Sequence, residues 1–279
     1  MAFNYPRAPQ GDPLSDSEQD VLCQEILAEI GTGRFKPAGE AHEENRSHWE
    51  QVWALQGWKF VPPYLRSGDL LRVNQHFLRT QKRSQELYWY KRRRSALLST
   101  YFKNVPGIYE FGCGSGWNLL AAHDLYPTKK LVGLDWAQSA VDRLNGFGGP
   151  FWQGERIRAK HFDFFHPDYA LKLEPNSGVW TVWSLEQTGY NWAPFLAYLL
   201  ANKPAICVHV EPIVEWYDPE NPVDFTAIQY HRARKYWEGF PDVMDYLQAQ
   251  GKVEILEKQR AYLGSKYHEA YSLFIWRPL

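Results

Sequence analysis

Cysteine is scarce in this 279-residue chain: Cys23, Cys113 and Cys207 stand far apart. That excludes a disulfide framework and a cysteine zinc site, and no metal is expected. Long apolar runs are missing too. The longest, Phe195 to Ala201, falls far short of the ~20 residues a bilayer requires, so no membrane span is expected. The start, MAFNYPRAPQ, lacks the apolar core of a secretory leader. These absences lead us to expect a soluble cytoplasmic protein. A dominant charge is missing as well. Lys+Arg number 31 against 32 Asp+Glu, and a net charge of −1 lets no global field select the partner. Aromatics are abundant instead, at 16% with 13 Trp, which points to aromatic-lined pockets or heavily packed helices. A hydrophobic share of 44% excludes disorder as the main state.

Charge is uneven along the chain. Residues 1–60 hold ten acids against five bases. Residues 71–100 hold eight bases and one acid, Glu86. Residues 1–20 are polar and acidic and read as a mobile tail. Helical spacing follows over Val21–Ile30, ended by Gly31. Ser47-His48-Trp49-Glu50 fits a capping box, with Trp49, Val52 and Trp53 on one face behind it and a stop at Gly57. Pro62-Pro63 marks a turn. No Gly or Pro interrupts Arg72 to Phe102, which predicts one long basic helix. Residues 21–104 thus read as a helical cap that binds the acceptor.

After Pro106 short apolar strands alternate with helical stretches. Strands are expected at Ile108–Phe111, Leu131–Leu134, Ile157–Phe164, Val179–Ser184 and Ile206–Val210, with two more near Val253–Ala261 and Tyr267–Trp276. Such alternation predicts an α/β fold over residues 105–279, a mostly parallel sheet with helices on both faces.

The strongest signal is Ile108-Tyr-Glu-Phe-Gly-Cys-Gly-Ser-Gly-Trp117. A strand carrying Glu110 runs into Gly112, Gly114 and Gly116, and a helix follows at once. Glycines let backbone approach a ligand closely, and a helix start presents free amides. A dinucleotide site requires glycine at position 117, where this chain has Trp117. A phosphate loop requires Gly-Lys-Ser/Thr, which is absent.

Here the chain resembles the class I S-adenosylmethionine-dependent methyltransferases, whose first motif is matched by Glu110, Phe111, Gly112, Gly114 and Gly116. The resemblance spans roughly residues 105–279. It implies a seven-stranded, mostly parallel sheet with an antiparallel last strand, and S-adenosyl-L-methionine as cofactor. It also implies an acid for the ribose hydroxyls at the end of the second strand. Asp135 stands there, 19 residues after Gly116, with Trp136 next to it. An acid facing the adenine amino group is implied at the end of the third strand, where Asp163 lies between Phe162 and Phe164. Cys113 reads as a small packed residue.

Methyl transfer to a hydroxyl requires alignment and a destination for the proton. In an open α/β sheet that chemistry belongs at the carboxyl ends of the strands. The candidates there are His268, Glu211, Glu186 and His231, in that order, each equally readable as a cap or a satisfied wall residue. His209 sits mid-strand and reads as structural. The motifs of amino-directed adenine, cytosine-carbon, arginine and metal-dependent catechol methyltransferases are all missing. Tyr190-Asn191-Trp192, Glu211-Pro212, Tyr230-His231 and Gly264–Glu269 are faintly similar to sugar and glycoconjugate O-methyltransferases. A sugar or nucleotide-linked sugar is therefore the expected acceptor. The basic 72–94 stretch reads either as an attractor for an anionic acceptor or as a solvated face pairing with the acidic N-terminal segment.

Two other readings stay open. A nicotinamide (NAD) oxidoreductase would use Tyr126-x-x-x-Lys130, but that pair falls away from the active edge. A non-catalytic module would grip nucleic acid through the basic helix, a reading the cofactor positions disfavour.

Overall fold

The computed structural model describes residues 7–38, 42–56, 60–62, 65, 69–80, 84–146 and 157–279. Expectations that rest on Gly57, Pro63, Lys82 and Arg83 lie outside the described residues. The chain opens with β1 (Asp12–Pro13), α1 (Asp16–Gly31), α2 (His42–Leu55), β2 (Leu70–Val73), β3 (His76–Arg79) and α3 (Gln85–Tyr101). Then come β4 (Gly107–Phe111), α4 (Trp117–Leu125), β5 (Lys130–Asp135), α5 (Gln138–Gly146), β6 (Ile157–His161) and β7 (Gly178–Val182). The last third holds α6 (Ala193–Asn202), β8 (Ile206–Glu211), α7 (Pro222–Arg234), α8 (Phe240–Ala249), β9 (Val253–Gln259), β10 (Leu263–Gly264) and β11 (Ser272–Pro278).

Seven strands form the main sheet in the order β6-β5-β4-β7-β8-β11-β9. β11 is antiparallel to both neighbours, and the pairs from β6 to β8 are parallel. This is the expected sheet. Its strands read as continuous apolar runs because both faces are covered. Alternate residues of β4 serve different layers: Ile108 packs with α3, α4 and α5, whereas Tyr109 and Phe111 pack with α6 and α8. The strand order reverses direction beside β4, which opens a crevice at the carboxyl ends of β4 and β7.

The N-terminal region differs from expectation. The long helix does not exist; its first part is a β-hairpin, and α3 starts at Gln85. Asn74 and Gln75 hold φ of 50° and 64°, the left-handed values of a two-residue hairpin turn. An uninterrupted run without Gly or Pro concealed that turn, because Asn tolerates positive φ as well. β1, β3, β2 and β10 form a second, antiparallel sheet. The stretch expected as a tail carries β1 and the start of α1. Ser15 caps α1 in a true capping box with Glu18. The box expected at Ser47 is absent, since Ser47 lies inside α2. Acids in the first turn, Glu43 and Glu44, favour the earlier start at His42. Glu50 caps a different helix: its Oε1 accepts from the Ser139 amide of α5 at 2.8 Å.

The basic stretch serves neither proposed role as a whole. Arg72, Arg93 and Arg94 are buried. Arg72 donates to the Val223 carbonyl, Thr226 Oγ1 and, at 3.1 Å, the Lys266 carbonyl, fastening the small sheet to α7. Arg93 donates to the Tyr271 carbonyl. Arg94 donates to the Trp117 carbonyl at 3.1 Å and lies over the Trp117 ring. Only Lys91 and Arg92 of the run 91–94 are exposed. Tyr126 and Lys130 are explained locally: Tyr126 Oη donates to the Leu98 carbonyl at 3.0 Å, and Lys130 pairs with Glu174 at 2.5 Å. Among the described residues no helix is long and apolar enough to cross a membrane.

The segment after β9 is tied down by Arg260. Its guanidinium reaches Asp224 at 2.6 Å and Glu269 at 2.8 Å, all three side chains being buried. Losing the cation strands two buried carboxylates, which costs about 3–5 kcal/mol. Arg260→Met should therefore lower the urea midpoint sharply; a change below about 1 kcal/mol would refute this role.

Candidate active site

β4 delivers Glu110 to the floor of the crevice, and the chain then turns through Gly112 and Gly114. A Cβ on Gly112 (φ +69°) would sit 2.2 Å from Ser184 Cβ. Ser184 cannot retreat, because its Oγ donates to the Phe111 carbonyl at 2.9 Å. A Cβ on Gly114 would meet the Trp53 ring at 2.4 Å. Gly116 stands at the N-cap of α4, behind the cavity that its two companions line. The turn is held from β5: Leu134 carbonyl accepts from the Gly112 and Cys113 amides at 2.6 and 3.1 Å. Asp135 Oδ2 accepts from the Gly114 amide at 2.8 Å and Oδ1 from the Ala137 amide at 2.9 Å.

Glu110 is almost fully buried. Its Oε1 accepts from Asn118 Nδ2 at 2.7 Å, and Asn118 Oδ1 in turn accepts from Tyr90 Oη at 2.9 Å. Glu110 Oε2 has no hydrogen-bond partner among the described residues. Burial pushes the Glu110 carboxyl up to about 8, with Asn118 and Arg94 opposing. Burial also raises Asp135, to about 6, against the two amides that hold it. Cys113 is buried, and desolvation raises its thiol well above the ordinary range, so it packs and does not attack.

Glu110, Gly112, Gly114, Asp135, Trp136 and Phe164 line one cavity over this turn. α2 closes it with Trp49 and Trp53, whose rings stack at 5.6 Å. About 70 Å³ of space is left. A drug-sized ligand takes a pocket of about 300 Å³ or more, so filling this one requires the two indoles to move outward. Asp163 is not part of the lining. Its Oδ1 accepts from the Phe165 amide at 2.8 Å and its Oδ2 lies 3.3 Å from His166. The strand-end acid thus shapes its own turn, while Phe164 and Phe165 reach the cavity.

A second cavity of about 930 Å³ adjoins the first. Trp49, Trp183 and Gln187 line both. Of the four proton-acceptor candidates, His268 and Glu186 line this larger space and Glu211 and His231 do not. Glu211 accepts from the Ser184 amide at 3.1 Å and the Leu185 amide at 3.2 Å, which holds the end of β7. Burial and the neighbouring Glu186 raise Glu211 well above the carboxylate range. His231 is buried in α7, and its Nε2 donates to the Trp237 carbonyl at 2.7 Å. Neither Glu211 nor His231 lines the smaller cavity either. Burial, then His231, Arg72 and Arg234, lower His268 to about 3, so its ring is neutral. His209 is structural as expected: Trp276 Nε1 donates to its Nε2 at 2.9 Å, so its Nδ1 donates to Thr181 Oγ1 at 2.8 Å.

Neither a protein-family model nor a curated protein matches this chain. Solved structures do. Mitomycin 7-O-methyltransferase MmcR is 12% identical, with 92% of this chain and 67% of that one aligned at a TM-score of 0.52. The methyltransferase domain of bacterial CtHen1 is 16% identical, with 68% and 99% aligned at 0.48. Plantazolicin methyltransferase BpumL, solved with S-adenosylhomocysteine (SAH), is 12% identical, with 92% and 98% aligned at 0.48. At such identity the likeness to MmcR concerns the fold alone.

Two measurements test the turn. Gly112→Ala should cost about 1–3 kcal/mol by overpacking against Ser184, whereas Gly146→Ala, with nothing within 4 Å of its Cβ, should not. Equal urea midpoints for the two variants would refute the close approach. Glu110 keeps its proton in the folded chain while the unfolded chain has lost it. Its contribution to stability therefore falls as pH rises from 4.5 to about 8. Glu110→Gln should gain stability relative to the parent across that window, and a constant difference in urea midpoint would refute the raised value.

Proposed function

Because the chain has the class I methyltransferase fold, we propose that it is an S-adenosyl-L-methionine-dependent methyltransferase acting on a polar small molecule. One observation carries the reading. A cavity over the glycine turn adjoins a larger one at the carboxyl edge of the sheet, and Trp49, Trp183 and Gln187 belong to both. A donor and an acceptor held in these two spaces would meet at that common wall.

The residues fit the cofactor. Gly112 and Gly114 keep the turn free of side chains, which Ser184 and Trp53 leave no space for. Glu110 Oε2 is a buried acceptor without a hydrogen-bond partner among the described residues. It suits an ammonium group, and pairing there would expel the proton that burial holds on it near neutral pH. Asp135 offers the ribose hydroxyls a carboxylate already oriented by two amides. Trp136 stacks on Phe165 at 5.9 Å, a flat wall for a base. Bound S-adenosylmethionine supplies a methyl group on a sulfonium centre. The protein's part is alignment and acceptance of a proton.

Glu186 and His268 are the groups placed to take that proton, both lining the acceptor space. Burial raises Glu186 above the ordinary carboxylate range, which improves it as a base at neutral pH. A hydroxyl acceptor of sugar-like type accords with the polar and aromatic lining. The anionic acceptor loses the single basic helix that supported it, since that stretch is a hairpin followed by α3, with Arg72, Arg93 and Arg94 buried. Three free, buried cysteines suit a reducing compartment, in keeping with a cytoplasmic protein.

Calorimetric titration with SAH and, separately, NAD tests the reading. SAH should saturate the protein and NAD should give no heat of binding. Asp135→Ala should weaken SAH by about tenfold or more, the loss expected when hydrogen bonds to a charged group disappear. Binding of NAD alone, of neither ligand, or unchanged SAH affinity in Asp135→Ala would overturn the assignment.

A further inference from the structure

The larger cavity has a charge balance that the methyl-transfer reading does not explain. Among the described residues five carboxylates line it: Glu18, Glu25, Asp69, Glu86 and Glu186. The lining cations are two, Arg79 and Lys266. Lys266 is committed to Glu29 at 2.6 Å, and the charge of Arg79 reaches Glu18. Arg234, outside the lining, acts on Glu186 from behind.

Glu86 is a lining carboxylate that none of these cations is shown to reach among the described residues. It stands in the first turn of α3, and Tyr271 Oη donates to its Oε1 at 2.7 Å. Desolvation pushes it up to about 7, with the Tyr271 hydrogen bond opposing. A carboxylate placed this way is costly unless a positive group joins it. Tyr271 packs edge-on to Trp183 at 5.2 Å, and both rings line the same cavity. Tyr230 and Tyr267 stack at 5.2 Å on another part of the wall. His268 adds a neutral ring whose Nδ1 has no hydrogen-bond partner among the described residues. Aromatic faces and carboxylates together favour a cation and disfavour a phosphate.

We propose that this cavity takes an acceptor carrying a protonated amine, and that Glu86 is the carboxylate that binds it. The proposal names the acceptor class of the methyltransferase described above and rests on that reading. The amine is a recognition handle, which leaves Glu186 and His268 their part at the methylated group. A purely structural Glu86 would be replaceable by glutamine, which keeps a hydrogen bond to Tyr271 and removes only the charge.

Matched pairs of probes test this: tyramine against N-acetyltyramine, and glucosamine against N-acetylglucosamine, with glucose 6-phosphate as the anionic probe. Binding is read by saturation-transfer NMR and calorimetry, with and without SAH. Each amine should bind about tenfold more tightly than its acetylated partner, the value of one charge-assisted contact. That preference should vanish in Glu86→Gln, while the variant keeps its affinity for SAH and loses no thermal stability. Equal binding of the acetylated or phosphorylated probes would overturn the proposal. So would failure of both amines to bind, or a preference that survives in Glu86→Gln. Amine preference without SAH binding would instead overturn the methyltransferase reading and leave the amine site standing.

Discussion

The Asp135 carboxylate holds the site together. It is buried, and the amides of Gly114 and Ala137 offset part of its desolvation cost. One contact fastens the glycine turn after β4, and the other fastens the approach to α5. Ser184 presses the same turn from β7. The turn thus has the ends of two strands against it and little room to relax. Everything that lines the smaller cavity inherits its position from that arrangement, including Glu110 beneath and Trp136 beside.

A second set of tethers builds the larger cavity. A sheet of four short strands joins the N-terminal region to the segment between β9 and β11. Arg72 ties it to α7, and Arg260 ties α7 to the loop that carries Glu269. Buried arginines reach backbone carbonyls and carboxylates through several donors at once, which sets direction as well as distance. The N-terminal helices are in this way held beside the open edge of the main sheet. The space between them and that edge is where His268, Glu186 and Glu86 meet.

The main sheet was legible because its signals are local. Glycines at 112, 114 and 116 sit directly after an apolar strand, and apolar runs at regular intervals mark buried parallel strands. The pairing of Asp135 with the turn was legible as a spacing, though not as hydrogen bonds to the turn's own amides. The N-terminal third was misread in places where two local signals compete. Residues 72–79 carry good helix formers, yet Asn74-Gln75 between alternating apolar residues is equally a hairpin. Pairing with β1 and β10 decided the matter. The capping pattern at Ser15-Asp16-Ser17-Glu18 stood in the sequence as plainly as the one at Ser47, and only the first forms.

By itself the sequence determined the α/β class, the place of the glycine turn and the identity of the strand-end acids. Those properties follow from periodicity and from backbone freedom, which act over a few residues. Tertiary structure alone decided which acids line a cavity. Asp163 turned back on its own loop, Glu211 braced the end of β7, and Glu86, one acid amid eight bases, came to line the larger cavity. Whether a carboxylate binds, braces or caps depends on desolvation and on which donors converge on it. Those donors come from far along the chain, as from Tyr271 to Glu86, 185 positions apart.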